Sequence, residues 1–224
     1  MKVWVTREET NDGPLCAALR AVGLEPVLEP ALERRVVTDA ADEISRLGPG
    51  DWLVLTSTYA VNAVAAEPAR VPRVAVVAES SRAAAQARGF RVELVSRDGT
   101  GKSLFDQLRS EITTGKVCFP RSALVEPPKG WPGVELLSPV LYETVSRAFD
   151  RNVIKSVDVV SVASASAVEA VGKVDLPFAS IGPSTSKALR DLGIDPWVEA
   201  PQRSFESLAA AIAGQANDSR HQRA

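Results

Sequence analysis

Asp51-Trp52-Leu53-Val54-Leu55-Thr56-Ser57-Thr58-Tyr59-Ala60-Val61-Asn62-Ala63-Val64 changes character half-way along. Residues 52–55 are an unbroken apolar run, the pattern of a strand covered on both faces. Hydroxyls follow, and then Ala60, Val61 and Val64 recur at helical spacing. A Ser or Thr at such a switch caps the helix by accepting a hydrogen bond from one of its unpaired N–H groups. The design returns as Asp158-Val159-Val160-Ser161-Val162-Ala163-Ser164-Ala165-Ser166-Ala167-Val168-Glu169, and in both copies the Asp and the capping Ser are six residues apart.

The echo extends in both directions. Ser81 to Gly89 and Thr185 to Gly193 are both eight residues, and each follows a short apolar run, 74–78 or 179–182. A weaker pair sets Val3-Trp4-Val5-Thr6-Arg7 against Val117-Cys118-Phe119-Pro120-Arg121. Fixed offsets over this much chain indicate an internal duplication. Strands alternating with helices imply parallel sheets covered on both faces. Residues 1–30 lack a sheet partner nearby in sequence, whereas the first copy with strand 116–119 is self-sufficient. The economical assembly joins 1–31 with 147–214 as a discontinuous α/β domain and leaves 36–140 as an inserted one. The chain then crosses twice, near 31–36 and 140–147, on two extended passages able to pair. Thr38 or Asp39 is expected to cap a helix through Ile44 and Leu47, and the polar residues 215–224 read as a disordered tail.

Composition narrows the chemistry. A length of 224 residues, 45% apolar and 24% charged, is that of a globular protein of one large or two small domains. A formal charge of −2 provides no general field for nucleic acid. The single histidine, His221, lies in the polar tail, so histidine triads, histidine-ligated metals and histidine bases are not expected. Cys16 and Cys118 have no metal-ligand spacing and suit a reducing compartment. No signal peptide or membrane span is read, so a cytoplasmic protein is expected.

The hydroxyls Thr56–Thr58, Ser80-Ser81, Ser164–Ser166 and Ser184–Ser186 fall where strands hand over to helices. Taken singly each reads as a cap. Together they line the carboxyl edges of parallel sheets, where ligands of this fold class bind. Hydroxyls and helix N-termini suit a ligand bearing several carboxylates. Arg7 and Arg121, directly after strands, suit bidentate pairing with carboxylates, their plain alternative being surface charge. Gly182-Pro183-Ser184-Thr185 is a tight turn where glycine permits close approach. Tyr142 lies on the second crossing passage. Gly101-Lys102-Ser103 looks like the end of a phosphate-binding loop, but Ser96 stands where that motif needs glycine, so an ordinary helix start is the better reading.

Taken in order, these segments resemble the uroporphyrinogen-III synthase family. They are Thr6-Arg7, Leu55-Thr56-Ser57 with Ala60-Val61, Phe119-Pro120-Arg121, Val140-Leu141-Tyr142-Glu143-Thr144, Ser164-Ala165-Ser166-Ala167-Val168, Ile181 through Leu189, and Ala200 with Ser204, Glu206 and Leu208. The resemblance implies two flavodoxin-like α/β domains, one discontinuous, joined by a two-stranded β-ladder. It implies a lyase that closes linear hydroxymethylbilane to uroporphyrinogen III with loss of water and inversion of ring D, and it implies no cofactor and no metal. By matching position Tyr142 is the proton donor to the departing hydroxyl, helpful rather than indispensable. Ser81 and Thr185 meet substrate carboxylates from the two domains, with Ser57, Ser164 and nearby amides helping; Thr6, Arg7, Arg121, Gly182 and Ser184 are counted with them as expected substrate-binding residues. A monomer without nucleic-acid or membrane partners is expected, in transient contact with the preceding pathway enzyme. Ala78, where the family usually has glycine, and Pro127-Pro128, in a region normally helical, depart from the pattern. The reading from another class is a non-catalytic two-lobed protein binding a small anion or a nucleotide.

Overall fold

The computed structural model describes residues 1–37, 40–67 and 73–221. The expected cap at Thr38 or Asp39 lies outside the described residues. The chain divides into two compact units, one of Met1–Glu33 with Val145–Ala224 and the other of Arg34–Thr144.

The first unit is built on β1 (Lys2–Val5), β2 (Glu25–Leu28), β11 (Val159–Val162), β12 (Phe178–Ser180) and β13 (Val198–Glu199), ordered β13-β12-β11-β1-β2 and parallel throughout. Alternation along the strands feeds two cores. Val3, Val5 and Val159 meet α1 (Pro14–Ala21) and α8 (Phe205–His221) on one face. Trp4, Val160 and Val162 meet α6 (Ala165–Val171) and α7 (Pro183–Asp191) on the other.

The second unit is built on β4 (Trp52–Leu55), β5 (Arg73–Val76), β6 (Val92–Val95), β7 (Gly115–Cys118) and β9 (Val134–Leu137), ordered β6-β5-β4-β7-β9 and again parallel. Leu53 and Leu55 pack with α2 (Ala40–Ser45), α3 (Thr58–Ala63) and α4 (Glu79–Ala87), while Trp52 and Val54 pack with α5 (Gly101–Glu111). Each sequence echo occupies the same place in its sheet: β4 matches β11, β5 matches β12, and β7 matches β1.

The passages expected to form a two-stranded ladder are β3 (Leu32–Val36) and β10 (Val140–Ser146). Val37 N–H donates to Leu141 O at 2.7 Å, and Arg147 N–H to Ala31 O at 2.9 Å, an antiparallel register. A third strand, β8 (Arg121–Ser122), joins this sheet parallel to β10, giving the order β3-β10-β8. Two residues after a proline carry no periodicity, which is why pattern reading missed them.

One agreement with the sequence and one further difference have simple causes. Residues 123–133 hold no helix, and Pro127-Pro128 removes the N–H donors a helix there would need. The first unit has α1 in the matching position. The polar stretch from Gln215, expected as a tail, continues α8 to His221, because Ala216 extends the buried row of Leu208 and Ile212 at four-residue spacing.

Candidate active site

In each sheet the strand order reverses at one point, between β1 and β11 in the first unit and between β4 and β7 in the second. Crossovers leave such a point in opposite directions and open space at the carboxyl ends of the strands. In the first unit those ends carry Thr6, Ser164 and the 182–185 turn. In the second they carry Ser57, Ser81 and Arg121, with Tyr142 on the adjoining β10.

The hydroxyls fall into two kinds, repeated in both units. Ser57 Oγ accepts the Ala60 N–H at 3.0 Å and caps α3; Ser164 Oγ accepts the Ala167 N–H at 3.2 Å and caps α6. A capping hydroxyl still has its own O–H to donate, so capping and ligand binding are compatible. Ser166 Oγ lies 3.0 Å from Ser164 Oγ, which extends the donor pair. Ser81 and Thr185 sit instead at the third helical position of α4 and α7, both 1–2% exposed. The caps preceding these helices, Ala78 and Gly182, make no side-chain cap bond. Both helices therefore present first-turn N–H groups without a side-chain acceptor at the cap, the arrangement that attracts carboxylates. Ala78 stands at φ −148°, extended backbone open to any residue, so its departure from glycine costs nothing locally. A Cβ on Gly182 would meet nothing within 4 Å, and the neighbouring Ser184 is exposed.

Three expected ligand residues are engaged internally. Thr6, 1% exposed, donates its hydroxyl to Ser161 O at 2.8 Å, while Ser161 Oγ donates to Trp4 O at 2.7 Å. These bonds stitch β1 to β11 at the reversal point. Arg7 Nε lies 3.2 Å from Glu9 Oε2, and its guanidinium covers the Phe205 ring at 4.2 Å. Glu9, unremarked in the sequence, accepts the Cys16 N–H at 2.7 Å and lies against Gly13, so an internal carboxylate already fills the α1 N-terminus. Arg121 Nη1 donates to Ser122 O at 3.2 Å and Val125 O at 2.6 Å, holding its own loop, and its buried Nε has no hydrogen-bond partner among the described residues.

Gly101-Lys102-Ser103 opens α5 as an ordinary helix. Thr100 Oγ1 accepts the Ser103 N–H at 3.1 Å, and the Asp98 carboxylate accepts the Thr100 N–H and O–H at 2.9 and 2.7 Å. Those bonds hold Asp98 below the usual carboxylate range. A phosphate would meet a carboxylate that is already seated. A groove of about 480 Å³ opens between α5 and the 119–128 loop, walled by Phe105, Phe119, Val125 and Pro128. It lies on the α5 face, where α1 fills the matching place in the first unit, and away from the face on which Tyr142 packs.

Tyr142 is half-buried on β10, and its carbonyl accepts the Ala123 N–H at 2.9 Å. Its ring meets Tyr59 edge-on, centroids 4.7 Å apart at 64°. Tyr59 was legible only as a helix residue; its partner lies 83 positions away and no local pattern announces it. Among the described residues no three His, Cys, Asp or Glu side chains converge as metal ligands would. Among them, too, no helix is long and apolar enough to cross a membrane.

The family model described as uroporphyrinogen-III synthase HemD matches residues 14–210. No curated protein matches the chain. Among solved structures, the wild-type uroporphyrinogen III synthase of the extremely thermophilic bacterium Thermus thermophilus is 18% identical, covering 98% of this chain and 99% of that one at a TM-score of 0.45. A mutant form of the same enzyme gives 16%, 97%, 99% and 0.46, and a further structure of the Thermus thermophilus enzyme gives 18%, 96%, 99% and 0.40.

Proposed function

The chain belongs to the uroporphyrinogen-III synthase family, matched over residues 14–210, and from that premise we propose how its own residues close hydroxymethylbilane. The reaction is that of a lyase: the linear tetrapyrrole loses water, its terminal ring D is inverted, and uroporphyrinogen III results. In the absence of an enzyme the chain closes with ring D unflipped, so the protein's main task is to hold a geometry.

Ser81 and the α4 N-terminus in one unit, and Thr185, Ser184 and the α7 N-terminus in the other, take substrate carboxylates. Ser57, Ser164 and the Gly182 turn add neutral donors. The observation that carries this reading is the repetition: the same two kinds of donor stand at the carboxyl edges of both sheets, in register with the duplication. Neutral donors suit eight carboxylates on a flexible chain, because charge-assisted hydrogen bonds are strong without fixing one rigid pose. Thr6 supports this edge by stitching β1 to β11, and Arg7 and Arg121 by holding its loops.

Tyr142 acts at the reacting carbon. Its O–H bond breaks as the ring A hydroxyl leaves as water, giving a cationic azafulvene and a phenolate. Attack from the substituted position of ring D gives a spiro intermediate, which fragments and recloses with the ring reversed. The proton released when that pyrrole regains aromaticity restores the phenol.

We place the enzyme in the cytoplasm as a cofactor-independent monomer that receives its labile substrate by transient contact with the preceding enzyme. Two unpaired, buried cysteines support a reducing compartment. Among the described residues the well-exposed large apolar side chains are Val22, Val36, Leu124 and Val125, fewer than an obligate interface needs. The test is to mix the protein with freshly prepared hydroxymethylbilane, oxidise, and resolve the isomers. Isomer III in excess supports the proposal; isomer I at the unassisted rate refutes it.

A further inference from the structure

The chain has two tyrosines, and they lie against each other. Tyr59 follows the Ser57 cap on the first turn of α3, so the cap fixes where its ring starts. Its ring is covered by the Arg34 guanidinium, 4.2 Å from the centroid. Its Oη donates to Arg34 O at 3.1 Å. Tyr142 then meets it edge-on. Arg34 belongs to β3 and Tyr142 to β10, neighbours in one sheet, so the stack Arg34–Tyr59–Tyr142 is anchored at both ends by strands and in the middle by a capped helix.

A tyrosine on a half-buried strand has freedom about its ring torsion, and a proton donor must aim its O–H at one atom. Tyr59 removes that freedom. Its hydroxyl is committed to a backbone carbonyl, which prevents the ring from turning away, and its π-system meets Tyr142 in the preferred tilted geometry. We infer that Tyr59 is a positioning residue for ring closure, holding the Tyr142 phenol on its line to the departing hydroxyl. The inference rests on the proton-donor reading of Tyr142.

A double-mutant cycle on the full chain tests it. Tyr59→Leu is expected to lower kcat about threefold to tenfold, the weight of one aromatic edge contact, with KM held within about twofold. The fraction of isomer I rises as slower closure lets unassisted cyclisation compete. Tyr59→Phe keeps the ring but loses the hydroxyl's bond to Arg34 O, so its kcat is expected to fall between those of Tyr59→Leu and the wild type. In the Tyr142→Phe background, where no phenol remains to aim, Tyr59→Leu changes kcat by less than about twofold. Equal losses on both backgrounds, or a loss confined to KM, would overturn the positioning role while leaving Tyr142 as donor. Wild-type kcat in Tyr142→Phe alone would overturn the donor reading and the inference with it. If Tyr59→Leu lowers the melting temperature by more than about 5 °C, Tyr59→Met replaces it in the cycle.

Discussion

Ser57 does two jobs in this account, and replacing it separates them. In Ser57→Ala the Ala60 N–H loses its acceptor at 3.0 Å. Loss of such a cap costs about 1 kcal/mol, which lowers the melting temperature by about 2–4 °C in a chain of this length. The second loss is the hydroxyl proton offered to a substrate carboxylate. A hydrogen bond to a charged group contributes about 1.5–3 kcal/mol, so KM rises about tenfold or more. Because the Ser57 cap also fixes where the Tyr59 ring starts, beside Tyr142, kcat is expected to fall modestly beside the larger rise in KM. Thr100 supplies the matched control, since it caps α5 at 3.1 Å by the same geometry but faces no proposed donor site. Thr100→Ala also loses the hydroxyl's bond to Asp98, so it is expected to melt at least as early as Ser57→Ala, with KM unchanged. Steady-state kinetics and calorimetry on the two variants give the comparison. A KM that rises equally in both, or in neither, would show that Ser57 is a cap and nothing more.

Tyr142→Phe is expected to slow closure by about 10²-fold or less, the lower end of general-acid catalysis, with the melting temperature unchanged; undiminished turnover removes the phenol from the mechanism. Cys16 and Cys118 are pushed from 9.0 up to about 12, by burial first and, for Cys16, by the Glu9 carboxylate next. Native protein therefore leaves a thiol reagent unreacted at about pH 8, and guanidinium releases both thiols. Unfolded thiols ionise first, so the unfolded state holds fewer protons above about pH 9 and stability falls as pH rises from 9 toward 12, by about 1.4 kcal/mol per thiol per pH unit. Glu9→Ala strips the acceptor from the Cys16 N–H and one partner from Arg7, and is expected to destabilise by about 2 kcal/mol in urea titration. Gly133→Ala puts a Cβ against Thr113 O at φ +80°, and loss of soluble protein on expression is the expected outcome.

Where the sequence was informative, periodicity carried the information. Strands buried on both faces and helices started by hydroxyls leave patterns a few residues wide, and the repeat made each half a check on the other. That is why β4 with α3 and β11 with α6 were legible down to the capping serine. What escaped reading was long-range pairing. β8 exists because Arg121 N–H reaches Pro139 O at 2.9 Å and Ala123 N–H reaches Tyr142 O, neither of which has a local signature. The site divides along the same line. Ser57, Ser81, Ser164 and Thr185 stood out in the sequence by their place in the repeat. Arg7 and Arg121 were singled out by chemistry and Thr6 by the family resemblance, and each meets an internal partner, Glu9, its own loop or Ser161, that only the fold brings near.

The central claim is that substrate carboxylates are held at four hydroxyl-bearing helix starts, two in each unit. Backbone amide shifts recorded while uroporphyrinogen III is titrated into labelled protein under reducing conditions test it most directly. The largest changes are predicted at residues 57–60, 79–82, 164–167 and 183–186, with little movement at 98–103, where Asp98 already occupies the helix start. Shifts centred on 98–103, or absent from the four hydroxyl turns, would contradict it.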